Sequence, residues 1–387
     1  MAYLNERELL KIALFFVIVI ILFGCSNENR SKPSVVSYET GYYTLDEFLE
    51  KVPEEKEHYY SFRSIVQKEA IPLIEGIQEK PIRIAMVYPG NEKSDYWTRS
   101  VASFAVRMEQ LGIRNEIFEF FSRPGVVDRD IQEEQINEAL KSDPDYLVFT
   151  LDVTRHKELI ERIITLGRPK LILQNITTPL KEWTGNQPFL YVGFSHKLGT
   201  EEILIPEFLK RTGGKGSYAL LYFAKGFVSE QRGNTFIDYM EKNTDLILKA
   251  AYYTDGQFDI AKEATEDLLN EYPDIDFIYA CSTSIALAAV EVLELKGKKE
   301  QILVNGWGGG SAELDSIMNG HLDFTVMRIN DDNGIAMAEA IKLDIQGEGN
   351  RVPIVYSGEF VLVNQETTSV DLDELKRRAF RASGNND

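Results

Sequence analysis

Short apolar runs alternate with amphipathic segments along most of the chain, and this alternation predicts an α/β protein. Seven mainly apolar runs recur between residues 82 and 304, and most of them lack strict alternation of apolar and polar positions. Runs of this kind are typical of parallel strands that are buried on both faces. We therefore predict strands at residues 82–87, 146–151, 170–174, 189–192, 218–223, 277–280 and 302–304.

The segments between these strands have the spacing of helices that pack one face on a sheet. The clearest apolar stripe precedes Gly112 and consists of Trp97, Val101, Phe104, Ala105, Met108 and Leu111. After the last of these strands, Trp307 is predicted on a glycine-rich turn, and a further strand ends at Arg328. A helix at 334–345 and a strand at 358–364 follow. Two sets of strand–helix units of similar size predict two doubly wound lobes that face each other across a cleft.

The order of these units also predicts the domain boundaries. Residues 178–188, rich in threonine, glycine and asparagine, are predicted to be a hinge. The first lobe is expected to comprise 80–187 with 329–355, and the second 188–328 with 356–387, so that the chain crosses between lobes three times. Residues 25–79 are predicted to be a tether and a helical extension, because Thr44 and Glu47 form a capping-box pattern.

The N-terminal residues 1–24 are predicted to be a signal peptide. The apolar run at 12–23 is shorter than the ~20 residues that a membrane-spanning helix needs, and its length is typical of a signal-peptide core. A glycine and then Cys25 follow, as in a bacterial lipobox, so we predict lipidation of Cys25. Phe23 is bulky for such a site, and Glu6 and Glu8 precede the run, which leaves an uncleaved membrane anchor as the alternative. Either arrangement exports the rest of the chain to the periplasm or cell envelope.

Composition excludes several classes of function. The 61 acidic and 42 basic residues give a net charge of −19, which argues against nucleic acid as a partner. If Cys25 is lipidated, Cys281 has no partner, and we predict it to be a small buried residue. The four histidines lack metal-ligand spacing, so no metal site is predicted. A Gly-x-Ser-x-Gly elbow and a Walker lysine are also missing from the sequence, so neither an enzyme nor a cofactor is expected.

Aromatic, cationic and polar side chains follow the ends of several predicted strands. The carboxyl ends of strands are where open α/β sheets bind ligands. Taken singly, most of these residues could be helix caps, turn residues or core residues. Taken together, indole faces, guanidinium groups and hydroxyl or amide groups suit a small polyol or an anion. The predicted ligand-binding set is Glu92, Ser94, Trp97, Thr150, Asn175, Arg232, Thr283, Ser284, Trp307 and Arg328.

Several long segments resemble the LuxP family of periplasmic autoinducer-2 receptors, within the ribose-binding-protein-like class. The resemblance covers 42–382, and its most specific segments are VYPGNEKSDYW (87–97), NGWGGGSAELD (305–315) and FTVMRINDDNGIAMAE (324–339). It implies two Rossmann-like lobes joined by a three-crossover hinge, the type I periplasmic binding protein fold. It also implies a furanosyl borate diester or a related form of the signal as ligand, and a LuxQ-like membrane sensor histidine kinase as partner.

The resemblance also assigns ligand contacts by position. From the first lobe it implies Ser94, Trp97, Thr150 and Asn175, and from the second Arg232, Thr283, Trp307 and Arg328. This chain departs at two places, since it has Glu92 where the family has glutamine and Ser284 where the family has aspartate. One carboxylate is lost and another gained, which leaves open whether the ligand contains boron.

Two functions therefore remain open. The first hypothesis is an autoinducer-2 receptor that signals to the kinase when its cleft closes on the ligand. The alternative is a solute-binding protein that delivers a pentose or another monosaccharide to an ABC transporter. The two arginines favour the first hypothesis, because neutral sugars rarely need two guanidinium groups without matching carboxylates. A DNA-binding regulator with the same fold is excluded by the export signal and by the acidity of the chain.

Overall fold

The molecule consists of two α/β lobes, each built on one sheet of six strands. A computed structural model describes residues 41–89, 93–122, 129–150 and 157–384. The predicted signal peptide, Cys25 and Glu92 lie outside these residues. No helix in the described ranges is long and apolar enough to cross a membrane.

The described residues contain twelve strands, and most of the connections between them are helical. In chain order they are β1 Ile82–Pro89, β2 Asn115–Ser122, β3 Tyr146–Thr150, β4 Lys170–Gln174, β5 Leu190–Gly193, β6 Lys215–Tyr222, β7 Asp245–Tyr253, β8 Phe277–Ala280, β9 Leu303–Gly308, β10 Phe324–Arg328, β11 Val355–Ser357 and β12 Phe360–Asn364. The first sheet has the order β11-β5-β4-β3-β1-β2 and is entirely parallel. The second has the order β12-β10-β9-β8-β6-β7, and only its edge strand β12 pairs antiparallel, with β10.

Helices cover these sheets. The α-helices are α1 Leu45–Lys51, α2 Pro53–Val66, α3 Tyr96–Gln110, α4 Arg129–Lys141, α5 Lys157–Leu166, α6 His196–Leu198, α7 Ile205–Thr212, α8 Phe227–Ser229, α9 Thr235–Asn243, α10 Phe258–Glu271, α11 Thr283–Leu295, α12 Ser311–Met318, α13 Asp332–Ile345 and α14 Ser369–Ala379. π-helical segments at Gly199–Leu204 and Glu230–Asn234 join α6 to α7 and α8 to α9. Thr44 and Glu47 form the capping box at the start of α1.

The fold class predicted from sequence is confirmed: two doubly wound lobes, each with a mostly parallel sheet. The bounds of β4 and β8 match the prediction to the residue, because both strands are short apolar runs. The strands β2, β7 and β11 were not predicted. Each lies at an edge of its sheet; β2 and β7 mix charged with apolar positions, and β11 has only three residues.

Two details of the predicted layout differ from the structure. Trp307 lies within β9 and not on the following turn, because its side chain belongs to the core of the second lobe. The strand β5 pairs with β4, so the first lobe extends to Gly193 and its edge strand β11 ends at Ser357. The boundaries predicted at 187 and 355 are therefore too early, and residues 178–188 connect two strands of one sheet instead of joining the lobes.

Candidate functional site

A cavity of about 50 Å³ lies between the lobes, at the carboxyl ends of strands from both sheets. This volume holds only a few water-sized groups, so the walls approach each other closely. Residues of both lobes line the cavity: Pro89, Ser94, Tyr96, Trp97, Asn175, Phe223, Val228, Arg232, Gly256, Ser282, Thr283, Ser284, Trp307 and Arg328. The position matches the crevice where open α/β sheets bind ligands.

Most of the residues predicted from sequence meet at this cavity. Eight of the ten line it: Ser94, Trp97, Asn175, Arg232, Thr283, Ser284, Trp307 and Arg328. Thr150 ends β3 and is buried, but it is not among the lining residues. Glu92 lies outside the described residues. The sequence did not single out Tyr96, Phe223, Val228 or Gly256, because apolar residues and glycine near strand ends have no pattern that separates them from core or turn residues.

Aromatic rings form opposite walls of the cavity. In the first lobe, Trp97 stacks on Tyr88 with ring centroids 5.1 Å apart, and Tyr96 meets Trp97 edge-on at 4.7 Å. In the second lobe, Trp307 packs against His196, with ring centroids 5.3 Å apart. Both tryptophans are buried. Indole rings held in this way suit the apolar faces of a small cyclic ligand.

Arg232 is held in one orientation by contacts on three sides. Its guanidinium group lies 3.6 Å from the centroid of the Trp307 ring. Its Nη1 donates a hydrogen bond to the Cys281 carbonyl at 2.6 Å, and its Nε donates to His196 Nδ1 at 2.9 Å. Burial and the nearby Arg328 lower the pKa of Arg232 to about 9. The side chain is therefore still a cation at neutral pH, but a poorly solvated one that an anion would stabilise.

Arg328 brings a second guanidinium group to the same cavity. It ends β10 and lies 4.0 Å from the centroid of the Tyr96 ring, which belongs to the opposite lobe. Its Nε donates a hydrogen bond to the Gly308 carbonyl at 3.4 Å. No aspartate or glutamate is among the described residues that line the cavity. Two buried guanidinium groups at one cavity make this part of the site suited to a negatively charged group.

His196 links the two lobes behind the cavity. Because Arg232 Nε can only donate, His196 Nδ1 must accept, and the ring proton is therefore on Nε2. That nitrogen donates to the carbonyl of Asn175 in the first lobe at 3.1 Å. Burial and Arg232 hold the pKa of His196 well below its usual value, so the ring is neutral. The sequence did not reveal this role, because His196 has no ligand-like spacing to another histidine.

His196 should make stability depend on pH. The unfolded chain protonates His196 near the usual pKa of ~6.5, whereas the folded protein does not, so stability falls as the pH falls below that value, by up to ~1.4 kcal/mol per pH unit. We expect His196→Gln to lose less stability than the wild type between pH 7.5 and 5, as measured by urea unfolding. His321→Gln, which removes an exposed histidine, is the control. Equal losses in His196→Gln and wild type would contradict this role.

The buried carboxylate of Glu313 holds the backbone of the second lobe in place next to the cavity. Glu313 of α12 accepts hydrogen bonds from the backbone N–H of Trp307 at 2.9 Å and of Gly309 at 2.7 Å. The Thr325 hydroxyl donates to the same carboxylate at 2.5 Å. A Cβ at Gly306 would lie 2.7 Å from the Glu313 carboxylate, and Gly309 has a φ of 65°. The glycines therefore allow the backbone to pass close to the Glu313 carboxylate. The hydrogen bonds to that carboxylate hold the end of β9 in place beside the cavity.

Three polar atoms of cavity-lining residues have no hydrogen-bond partner among the described residues. They are Asn175 Oδ1, Ser282 Oγ and Trp307 Nε1, and all three are buried. Asn175 also has a φ of 65°, a conformation that asparagine tolerates better than most residues. Buried polar atoms normally have partners, so the hydroxyl groups of a ligand suit these three positions.

Comparison with known proteins agrees with this architecture. The profile of the periplasmic binding protein domain matches residues 84–349, which span most of both lobes. A periplasmic solute-binding protein of an ABC transporter from Actinobacillus succinogenes 130z, solved with D-allose, superposes with a TM-score of 0.64 at 20% identity. The match covers 74% of this chain and 98% of that one.

Two further solved proteins share the fold. A solute-binding protein from Agrobacterium vitis with α-D-tagatopyranose has a TM-score of 0.66 at 16% identity, over 74% of this chain and 96% of that one. A solute-binding protein from Bacillus halodurans C-125 with myo-inositol has a TM-score of 0.61 at 18% identity, over 78% and 99%. At these identities the likeness establishes the fold.

Proposed function

The chain belongs to the periplasmic binding protein domain family, whose members bind solutes and are not enzymes, and we propose that it closes on a small, sugar-like ligand with a negatively charged group. The observation that supports this best is the pair of buried guanidinium groups of Arg232 and Arg328, which line one cavity beside aromatic rings. The tryptophan rings would cover the faces of the ligand, and the polar atoms of Asn175 and Ser282 would bind its hydroxyl groups.

The first candidate ligand is the autoinducer-2 signal in its furanosyl borate diester form. Its ring is small, rich in hydroxyl groups and anionic, so it combines the properties that the cavity walls favour. Seven of the eight residues that the resemblance to the LuxP family assigns as ligand contacts line the cavity, all except Thr150. In this proposal the closed cleft is recognised by a LuxQ-like membrane sensor histidine kinase.

The second candidate is a pentose or another monosaccharide that the protein delivers to an ABC transporter. The solved structures favour this candidate, because the similar proteins bind D-allose, α-D-tagatopyranose and myo-inositol, which are all uncharged cyclic polyols. The two guanidinium groups at the cavity favour the first candidate instead, because that ligand is an anion.

Titration calorimetry separates the two candidates. Protein unfolded and refolded to remove any bound ligand would be titrated with autoinducer-2, in buffer with and without borate, and with D-ribose, D-allose and myo-inositol. We expect the tightest binding to autoinducer-2, with an increase in affinity when borate is present. Tighter binding of a neutral monosaccharide, with no effect of borate, would establish the transporter function and contradict the receptor function.

We also propose that Cys25 is diacylated and anchors the protein to a membrane in the cell envelope, where periplasmic binding proteins act. Two acyl chains give stable anchoring, whereas one gives only marginal binding. Fractionation of envelopes would test this proposal, since a lipidated protein stays with the membrane pellet and a free periplasmic one is released.

A further inference from the structure

The lobes also meet outside the cavity, at the start of two helices. Asp95 precedes α3 in the first lobe, and Ser311 begins α12 in the second. Asp95 Oδ2 accepts hydrogen bonds from the Ser311 backbone N–H at 3.2 Å and from the Ser311 hydroxyl at 3.0 Å. Neither residue lines the cavity. Asp95 makes no side-chain cap bond within its own helix, and instead caps the helix of the opposite lobe.

Arg99 of α3 binds both residues of this contact between the lobes. Its Nε donates to Asp95 Oδ2 at 2.6 Å, and its Nη2 donates to the Ser311 hydroxyl at 2.9 Å. Its Nη1 donates to the Gly384 carbonyl at 2.6 Å, and its guanidinium group lies 3.7 Å from the Phe380 ring. Burial alone would raise the pKa of Asp95, but the hydrogen bonds and charge of Arg99, together with Ser311, hold it below its usual value. The carboxylate is therefore ionised, and its hydrogen bonds are charge-assisted.

Gly310 shows how closely the lobes approach at this point. A Cβ built on Gly310 would lie 2.1 Å from Asp95 Oδ1. The backbone of Gly310, with φ −75° and ψ 172°, is one that any residue adopts. A side chain here would therefore push the Asp95 carboxylate away from its hydrogen bonds to Ser311 and Arg99, although the local backbone would accept it. An alanine at this position should fit within its own lobe and clash only when the lobes are closed.

We propose that Asp95, Arg99 and Ser311 form a closure latch, a set of positioning residues that raises ligand affinity by stabilising the closed arrangement without touching the ligand. The inference rests on the proposed function, in which the cleft opens and closes around a ligand. When only a fraction of the protein is in the binding-competent state, the apparent affinity falls by that fraction. Loss of the latch therefore weakens binding of any ligand, charged or neutral, by the same factor.

The test compares two variants that break the latch in different ways with one matched control. Gly310→Ala introduces the clash, and Asp95→Asn removes the charge and one acceptor oxygen. Asp315→Asn, on the exposed face of the same helix α12, is the control. Spin labels at exposed Glu109 and Glu266, one on each lobe, report the distance between lobes by double electron–electron resonance without added ligand. We expect a longer distance for both latch variants and the wild-type distance for the control.

Affinity is measured separately, with autoinducer-2 plus borate and with D-allose as probes. We expect at least a tenfold loss for Gly310→Ala and Asp95→Asn with whichever probe binds. Wild-type distances and affinities in both latch variants would overturn the proposal. The distance measurement needs no ligand, so a failure of the proposed function, in which neither probe binds the wild type, is distinguishable from a failure of the latch.

Discussion

Replacement of Arg328 or Arg232 by methionine should weaken binding of an anionic ligand by a factor of ten to a hundred or more for each. Each variant removes a charge-assisted hydrogen bond, which contributes ~1.5–3 kcal/mol, and leaves the anion with one cation in a poorly solvated cavity. Methionine retains an apolar side chain of similar length, so the packing against Tyr96 or Trp307 is largely kept. Titration calorimetry with autoinducer-2 plus borate measures the loss.

Two controls separate the charge of the arginines from their shape. Arg328→Lys keeps the cation and loses the planar fork, so it should recover part of the affinity. Lys215→Met removes an exposed cation at the amino end of β6, opposite the strand ends that line the cavity, and should leave binding unchanged. If both methionine variants bind with nearly wild-type affinity, the anionic-ligand proposal is wrong, and the monosaccharide function gains support.

Glu313→Gln should lower the free energy of unfolding by about 3 kcal/mol. The carboxylate has two acceptor oxygens, whereas the glutamine amide has one oxygen and an NH₂ group that would face the same hydrogen-bond donors. Each buried group that is left without a partner costs ~1–3 kcal/mol. The groups affected are the backbone N–H of Trp307 and of Gly309 and the hydroxyl of Thr325. Urea unfolding, followed by tryptophan fluorescence, measures the change.

Ligand affinity should fall in Glu313→Gln as well. Glu313 positions the end of β9, where Trp307 lines the cavity and the Gly308 carbonyl accepts a hydrogen bond from Arg328. Asp315→Asn makes the same chemical change on an exposed face of α12 and should alter neither quantity. A Glu313→Gln variant that unfolds at the wild-type urea concentration would show that the protein relaxes around the amide, and that Glu313 is not required to hold the end of β9.

The sequence alone determined the architecture and most of the cavity lining. The strands β4 and β8 could be predicted to the residue, because strands covered by helices on both faces are mainly apolar and do not alternate with polar positions. Residues at the carboxyl ends of parallel strands gather at one edge of each sheet, and two lobes that face each other bring those edges together, so the sequence predicted Trp97, Trp307 and Arg328 at one site.

The tertiary structure decided what holds that site in place, because the partners are remote in the chain and chemically ordinary. Arg232 and His196 are 36 residues apart, and Asp95 and Ser311 are 216 residues apart. A neutral histidine, a buried glutamate and an aspartate before a helix each have common local explanations, so no spacing distinguishes them. The edge strands β2, β7 and β11 and the lobe boundary after Gly193 could not be predicted for a related reason: pairing between strands, and not their apolar content, assigns them to a sheet.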